Sequence, residues 1–448
     1  MDFLDNLVLP QSAHHMVLLK YLLVLTFILF IPYISVLFGT LTYSLYFKKI
    51  YVNKKESIYY KFSKDLIDLI TFNKGIAFAL GVVPLLSAIF CYAQLLHLSE
   101  LNVPEYLIIS LLFFVVSLLF IYTYKYTFHL KDIFEYASTN KQGNSNIDEQ
   151  VDDYKYKTTS LNQKSGIYGW FTLFISSYLF IAALQLAVDA EKWNDLNNFL
   201  GLIFSLNALV YFLQFLLFSA GLTSAVILYV YFRKNNEKEE KDKNYLSFVE
   251  LFSLRTGLIS TIILPAIIIL GIMLKPKTSL SFDLFGTAVI ALFIILLISV
   301  FYYIMLKESN TKFGTSVFYL FVITLAFLII KDQFAFDTAT KKQFTFLAAN
   351  YEEYQQKLQE EFGLIEEIIN AEDIYKGKCI ACHQFDRRVV GPPYKEVLPK
   401  YEEKLEELAQ FILNPVKVNP EYPPMPNQGL KPKEAQAVAE YIMVTYQK

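Results

Sequence analysis

The chain has 448 residues, of which 54% are apolar, 17% aromatic and only 18% charged. Together with a positive mean hydropathy of +0.37, this composition predicts a membrane protein and excludes a large water-soluble one. The net charge is only −2, and the sequence has no basic patch, phosphate-binding glycine loop or Ser/His/Asp arrangement. We therefore expect no nucleic-acid partner.

Eight apolar runs reach, or nearly reach, the roughly 20 residues that a helix needs to cross a bilayer. They lie at 16–47, 65–96, 103–128, 167–189, 197–232, 248–274, 283–306 and 314–331. The first run is far longer than the apolar segment of a cleavable signal, so we expect it to remain as the first membrane helix. The predicted fold class is therefore all-α, with eight transmembrane helices.

Lysine and arginine residues collect on alternate connections between these spans. The connections after the first, third, fifth and seventh spans are rich in them, whereas the others hold only Lys192, Lys275 and Lys277. By the positive-inside rule the lysine-rich side is cytoplasmic. The N-terminus and the segment after the eighth span then lie on the periplasmic side of a bacterial inner membrane. The polar connection at 132–164 is predicted to be flexible.

An offset of 182 residues aligns the chain with itself without a gap across three spans. The matched glycine and polar pairs are Gly39 with Gly221, Asp68 with Glu250, Thr71 with Ser253, Gly75 with Gly257 and Ser117 with Ser299. This repeat predicts two tandem four-helix bundles of the same orientation, at 1–190 and 191–332.

The two predicted bundles resemble the core of cytochrome bd oxidase subunits. Within the first, Phe30-Ile31-Pro32 and the segment Phe-Asn-Lys-Gly-Ile-Ala-Phe-Ala-Leu-Gly at 72–81 resemble the haem-bearing subunit I. The resemblance implies the fold but not oxygen reduction. An apolar run around Phe27 stands where that family has its haem histidine, and its Gly-Arg-Gln-Pro-Trp motif and paired membrane glutamates are absent.

Three histidines fall at the predicted outer face, because His14 and His15 precede the first span and His97 ends the second. His15 and His97 form a candidate pair of haem b ligands near that surface. The alternative is that they are interfacial histidines with no ligand.

Charged residues also stand in corresponding stretches of the two repeats, namely Asp68, Lys74, Glu250 and Arg255. One interpretation is a polar cluster near the cytoplasmic side that binds a quinone headgroup or guides protons. The alternative is that the carboxylates favour a helix N-terminus and the cations extend to the interface.

After a polar linker at 333–345, the chain carries Cys379-Ile380-Ala381-Cys382-His383. Two thiols at this spacing can each form a thioether to one haem, and the imidazole of His383 can then bind the iron. A redox dithiol is the alternative, but it expects a βαβ context and needs no histidine. Met425 is the candidate sixth ligand, because Pro424 and Pro426 beside it favour an extended loop.

From 346 to 448 the chain resembles a mono-haem class I cytochrome c, in the order helix, attachment motif, Gly-Pro, helix, methionine loop and closing helix. The resemblance implies a small all-α domain with one covalent haem c. It implies that the carbonyl of Pro392 holds the second ring nitrogen of His383. Tyr441, in the closing helix, is a candidate for packing on the haem edge, and an ordinary apolar contact is the alternative.

Two functions remain open on the sequence. In the first, the protein is the electron-transfer subunit of a respiratory complex, in contact with the lipid bilayer and other respiratory membrane subunits, and it exchanges electrons with a periplasmic redox protein. In the second, it is a cytochrome bd-like enzyme that oxidises quinol through a haem b and feeds the haem c. The weak set of ligands inside the membrane favours the first function.

Overall fold

The computed structural model describes residues 11–96, 103–139, 145–192, 203–233, 243–362 and 369–447. Throughout these ranges the regular elements are helices, which confirms the predicted all-α fold class. The chain divides into two compact units, Met1–Glu353 and Tyr354–Lys448. Each unit is described by itself.

Eight helices in the described part of the chain are long and apolar enough to cross a membrane, as the sequence predicts. They are α1 (Ala13–Lys54), α3 (Lys74–Leu95), α4 (Val103–Thr139), α5 (Ser145–Val188), α6 (Leu206–Phe232), α7 (Lys243–Met273), α8 (Phe282–Glu308) and α9 (Gly314–Glu361). A shorter helix, α2 (Ser57–Ile70), lies between α1 and α3.

The second predicted span, at 65–96, is wrong at its start, because its first residues belong to α2. This helix ends at Ile70, and a new helix begins where the side chain of Asn73 accepts a hydrogen bond of 2.7 Å from the backbone N–H of Gly75. Such a cap satisfies a backbone donor that the first turn of a helix leaves free. α2 is amphipathic and buries Phe62 and Leu66.

The connection predicted to be flexible at 132–164 is helical in its described part. α4 continues to Thr139 and α5 begins at Ser145. The rings of Phe134 and Tyr154 stack with centroids 5.9 Å apart, and Ser138 donates a hydrogen bond of 2.9 Å to Asp152. These contacts between the antiparallel helices α4 and α5 stabilise the polar ends of both helices. A hydropathy window does not detect these ends because they are polar.

Small and hydroxylated residues hold the membrane helices close together, as is usual in lipid. In one group the hydroxyls of Ser44 and Tyr124 lie 3.1 Å apart, and in another those of Ser224 and Tyr302 lie 2.6 Å apart. At Gly257 an added Cβ would lie 2.2 Å from the ring of Tyr302. The glycine therefore sets the distance between α7 and α8.

The first membrane helix, α1, contacts the last one, α9, from about the middle of α9 onward. Lys20 forms an ion pair of 2.9 Å with Asp337, and its ammonium lies 4.0 Å from the ring centroid of Phe344. The segment predicted as a linker, 333–345, is helical and belongs to α9. No glycine or proline interrupts the sequence from 315 to 362, so the helix has no intrinsic reason to stop at the membrane surface.

Beyond the end of α9, the described part of the second unit contains four short helical segments. They are α10 (Ala371–Ile374), continued by a π-helical turn at Tyr375–Cys379, α11 (Tyr394–Val397), continued by a 3₁₀ turn at Leu398–Tyr401, α12 (Leu405–Leu413) and α13 (Pro432–Gln447). Buried side chains from α12 and α13, including Leu408, Ile412 and Val438, form one apolar core with Tyr375. This core supports the site described next.

Candidate haem site

The Cys-x-x-Cys-His motif lies on a tight turn at the end of the π-helical turn. The backbone N–H groups of Cys382 and His383 both donate to the carbonyl of Cys379, at 3.1 and 2.9 Å. Cys379 is buried and Cys382 is half-buried. Burial raises the pKa of the Cys379 thiol, because a buried thiolate loses its hydration.

The ring of His383 is held by its neighbours in one orientation. Its Nδ1 lies 3.1 Å from the carbonyl oxygen of Pro392. A carbonyl only accepts hydrogen bonds, so Nδ1 carries the proton and Nε2 keeps a lone pair that can bind iron. The ring of Tyr394 stacks on the imidazole, with centroids 5.2 Å apart and planes 16° apart.

Gly391 makes this arrangement possible. A Cβ at this position would lie 2.3 Å from Cε1 of His383 and 2.8 Å from both ring nitrogens. The backbone N–H of Gly391 also donates to the carbonyl of Cys382 at 2.8 Å. Any side chain at this position would push the imidazole away from the Pro392 carbonyl.

The loop that carries Met425 is fixed by side chains on both sides of it. Before it, Arg388 donates to the carbonyl of Glu421 at 3.2 Å and its guanidinium lies 4.3 Å from the ring centroid of Tyr422. After it, Asn427 donates to the carbonyl of Leu413 at 2.9 Å. The loop therefore holds Met425 in place without regular secondary structure.

A cavity of about 330 Å³ brings these groups together. Cys379, Cys382, His383, Pro392 and Met425 all line it. Most of the remaining wall is apolar and includes Leu398, Tyr401, Leu408, Ile412, Val416 and Ile442. Two thiols, an imidazole with a free Nε2 and a thioether around an apolar cavity fit a haem. When bound, the haem would supply an iron centre that exchanges single electrons.

Three other candidate residues are placed differently. Tyr441 packs against Tyr375, with ring centroids 5.4 Å apart, and it is its neighbour Ile442 that lines the cavity. His15 lies in the first turn of α1, where its backbone N–H donates to the Ser12 hydroxyl at 3.1 Å. His97 lies outside the described residues, so the pairing of His15 with His97 stays a prediction.

The sequence does not reveal the residues that position His383 and the loop of Met425. The Gly-Pro pair points to Pro392, but no pattern singles out Gly391, Tyr394 or Arg388. The only hint of Gly391 is its place directly before Pro392, where a carbonyl must come close to the ring of a ligand. Tyr394 and Arg388 carry no comparable signal, because their roles depend on the tertiary fold.

Comparison with known proteins agrees with this geometry. The family model for cytochrome c matches residues 368–445. The chain is 35% identical over 77 residues to cytochrome c-551 of Pseudomonas denitrificans, covering 16% of the chain and 93% of the relative. It is 34% identical over 73 residues to cytochrome c-552 of Nitrosomonas europaea, covering 15% of the chain and 70% of the relative. No solved structure matches the chain at a significant level.

The C-terminal part of the chain therefore belongs to the cytochrome c family. Membership implies a covalently bound haem c and a role in electron transfer. Together with the eight apolar helices, it defines a multi-pass membrane protein with a cytochrome c domain. Such a protein contacts lipid along its helices and exchanges electrons with redox partners.

Replacing Cys379 with alanine should abolish covalent haem attachment, because one thioether is lost and the motif is broken. The measurement is haem staining of the denatured polypeptide, made in cells with haem-attachment machinery. Cys91→Ala is the matched control, since Cys91 is also a free, buried cysteine but lies in α3. A wild-type chain that never stains would contradict the assignment.

Replacing Met425 with leucine should leave the haem attached and lower its reduction potential, because a thioether ligand favours ferrous iron. We expect a fall on the order of 100 mV, within the roughly 0.8 V range over which axial ligands act. Redox titration of the visible spectrum measures it. Met443→Leu, in the buried core away from the cavity, should leave the potential unchanged. An unaltered potential in Met425→Leu would point to another ligand.

Proposed function

We propose that this protein is the electron-transfer subunit of a respiratory complex in a bacterial inner membrane. It passes electrons between a partner in the membrane and a redox protein in the periplasm. One observation carries the proposal: a single chain joins eight helices that can span a membrane to a cytochrome c domain. Because the cytochrome domain is part of the same polypeptide as the membrane helices, its redox centre stays close to the bilayer in which the membrane partners lie.

The charge distribution supports a periplasmic position for the cytochrome domain and the N-terminus. At the opposite, lysine-rich end of the helices, Lys64 of α2 pairs with Asp132 of α4. Lys125 of α4 pairs with Asp68 of α2 at 3.4 Å. These cations lie together at one end of the bundle, as expected of a cytoplasmic face. Other respiratory subunits would contact the sides of the helices.

The tandem arrangement supports a platform of two units, at 1–190 and 191–332. The helix α9 continues through 333–345, so the proposed cytochrome domain at 346–448 follows the platform without a separate linker. The hydroxyl contact between Ser44 of α1 and Tyr124 of α4 has a counterpart between Ser224 of α6 and Tyr302 of α8. In each unit these are the first and third spans. The two pairs are offset by 180 and 178 residues and not by 182, so the same spans meet in each unit but at positions that the repeat does not align. A hydroxyl contact between the same two spans of each unit favours an origin by duplication.

Ferricyanide, which does not cross membranes, should oxidise the reduced haem c in intact spheroplasts as quickly as in permeabilised ones. The reason is that the proposed topology exposes the cytochrome domain to the outside. The measurement is the loss of the reduced haem c absorbance with time. Spheroplasts with the Cys379→Ala variant supply the background. Oxidation that requires permeabilised membranes would overturn the proposed orientation.

The purified chain should contain no haem b, because His15 and His97 at the predicted outer face are a weak set of ligands for fixing an iron in an otherwise apolar bundle. Acid-acetone extraction removes non-covalent haem and leaves haem bound by thioethers, so the extract can be assayed directly. Extractable haem in a one-to-one ratio that disappears in His97→Ala, but not in His129→Ala, would contradict this expectation. It would make the bd-like quinol-oxidising enzyme the better description.

A further inference from the structure

A second cavity, of about 100 Å³, lies inside the membrane unit between α1, α3, α5, α6 and α9. Most of its wall is aromatic or aliphatic, with Phe27, Tyr92, Phe180, Phe215, Ile329 and Phe336 among the lining residues. Of the described residues that line it, none is a histidine, methionine or cysteine. The cavity therefore offers none of the ligands that electron-transfer cytochromes use for haem iron, and an occupant of another kind is considered.

Polar groups concentrate in one part of this wall, where Gln185, Tyr211, Gln214 and Asp332 line the cavity. Gln185 and Tyr211 are 5% exposed and Gln214 is 8% exposed. The hydroxyl of Tyr211 and Oε1 of Gln214 have no hydrogen-bond partner among the described residues. A buried polar group without a partner is costly, and more so in a membrane, so both atoms favour a ligand that can bind them.

Two buried cations border the same polar region. The side chains of Lys275 and Lys331 are fully buried, and their ammonium groups lie 3.3 and 3.1 Å from Oδ1 of Asp332. The two nitrogens also lie 4.7 and 5.1 Å from the ring centroid of Tyr211. One carboxylate for two ammonium groups leaves an excess positive charge in a buried place. Burial lowers the pKa of Lys275 to about 8, since the ammonium has lost its hydration.

These surroundings define the chemistry of the occupant. The walls select a flat or apolar body. The cavity of about 100 Å³ is smaller than the roughly 150 Å³ that holds benzene, so it takes one edge of a ring and leaves the rest of the ligand outside. The polar region requires an oxygen that accepts a hydrogen bond from Tyr211 in one state and donates one to Gln214 in another. A hydrocarbon chain would leave both groups unpaired. A phosphate headgroup would have to leave the interface for a wall that is mainly apolar.

We propose that this cavity binds the oxygen-bearing edge of the ring of a membrane-soluble quinone or quinol, with Tyr211 and Gln214 at that oxygen. A quinone carbonyl accepts from the Tyr211 hydroxyl, and a quinol hydroxyl donates to Oε1 of Gln214. The excess positive charge of Lys275 and Lys331 favours the oxygen-rich edge of the ring. The inference rests on the proposed function, for which it names the membrane partner.

The position of the cavity differs from the quinone site that the sequence suggests. The sequence suggests a quinone site near the cytoplasmic side, formed by Asp68, Lys74, Glu250 and Arg255. In the structure Asp68 pairs instead with Lys125 and with His129, at 3.4 and 3.3 Å. The new site lies at the other end of the helices, where α5 ends and α6 begins, which is the predicted periplasmic end.

The test is equilibrium dialysis of the detergent-solubilised holoprotein against decylubiquinone and, separately, menaquinone-1, with protein-free micelles as the blank. We expect saturable binding of at least one probe with one site per chain. Tyr211→Phe removes only the hydroxyl and should weaken binding about fivefold to tenfold, the usual effect of losing one hydrogen bond. Gln214→Leu should weaken it similarly.

Tyr33→Phe is the matched control, because the hydroxyl of Tyr33 is also buried without a hydrogen-bond partner among the described residues but does not line the cavity. It should bind like the wild type. Ile329→Trp should fill the cavity and abolish binding. If Ile329→Trp fails to fold, the comparison of Tyr211→Phe with Tyr33→Phe decides whether the cavity binds the probe.

No saturable binding of either probe, or equal affinity in wild type, Tyr211→Phe and Gln214→Leu, would overturn the proposed site. Oxidation of the haem c by ferricyanide is measured on the same variants and does not depend on this cavity. A protein that shows periplasmic redox activity but binds neither probe would therefore refute the quinone site and leave the proposed function intact.

Discussion

The hydrogen bond from Nδ1 of His383 to the carbonyl of Pro392 is the interaction on which the cytochrome unit depends. It fixes the tautomer of the imidazole, and therefore which nitrogen is available to a metal. Gly391 makes the contact sterically possible. Its backbone N–H also binds the carbonyl of Cys382, so one short loop positions both the histidine and an attachment cysteine. Without that loop, the imidazole of His383 and the thiol of Cys382 would still be present, but they would not be oriented toward the cavity.

The membrane unit is governed by a different constraint, the need to pair every polar group away from water. Many hydroxyl groups meet this need through a neighbouring helix. For example, Ser110 of α4 donates a hydrogen bond of 2.9 Å to the carbonyl of Ser176 in α5. The region around Lys275, Lys331 and Asp332 does not meet this need, since two cations share one carboxylate there. Membrane proteins retain such clusters where a function requires them.

The sequence predicts those features that depend on residues close together in the chain, such as a ligand motif or a run of apolar residues. The spacing of Cys379, Cys382 and His383 encodes haem attachment, and Met425 between prolines indicates a ligand loop. Hydropathy gives the number of membrane helices correctly. It fails at their ends, because Asn73 starts a helix by capping and Phe134 extends another by stacking, and neither effect appears in an average over a window.

The membrane cavity could not be predicted in the same way, since Gln185, Tyr211 and Gln214 come together only when α5 and α6 pack. A glutamine inside an apolar span is a usable signal, but it does not reveal its neighbours. Of the charged residues that the sequence singles out, Asp68 of α2 forms an ion pair with Lys125 of α4.

The ion pair between Lys20 and Asp337 has a consequence for biosynthesis. It joins a helix that enters the membrane first to one that is translated roughly 300 residues later. At about 5–20 residues per second, ~15–60 s separate the two events. During that interval the inner face of α1 must be covered by lipid, by the insertion machinery or by neighbouring helices. The membrane bundle therefore closes only when its last helix arrives, shortly before the cytochrome domain is synthesised.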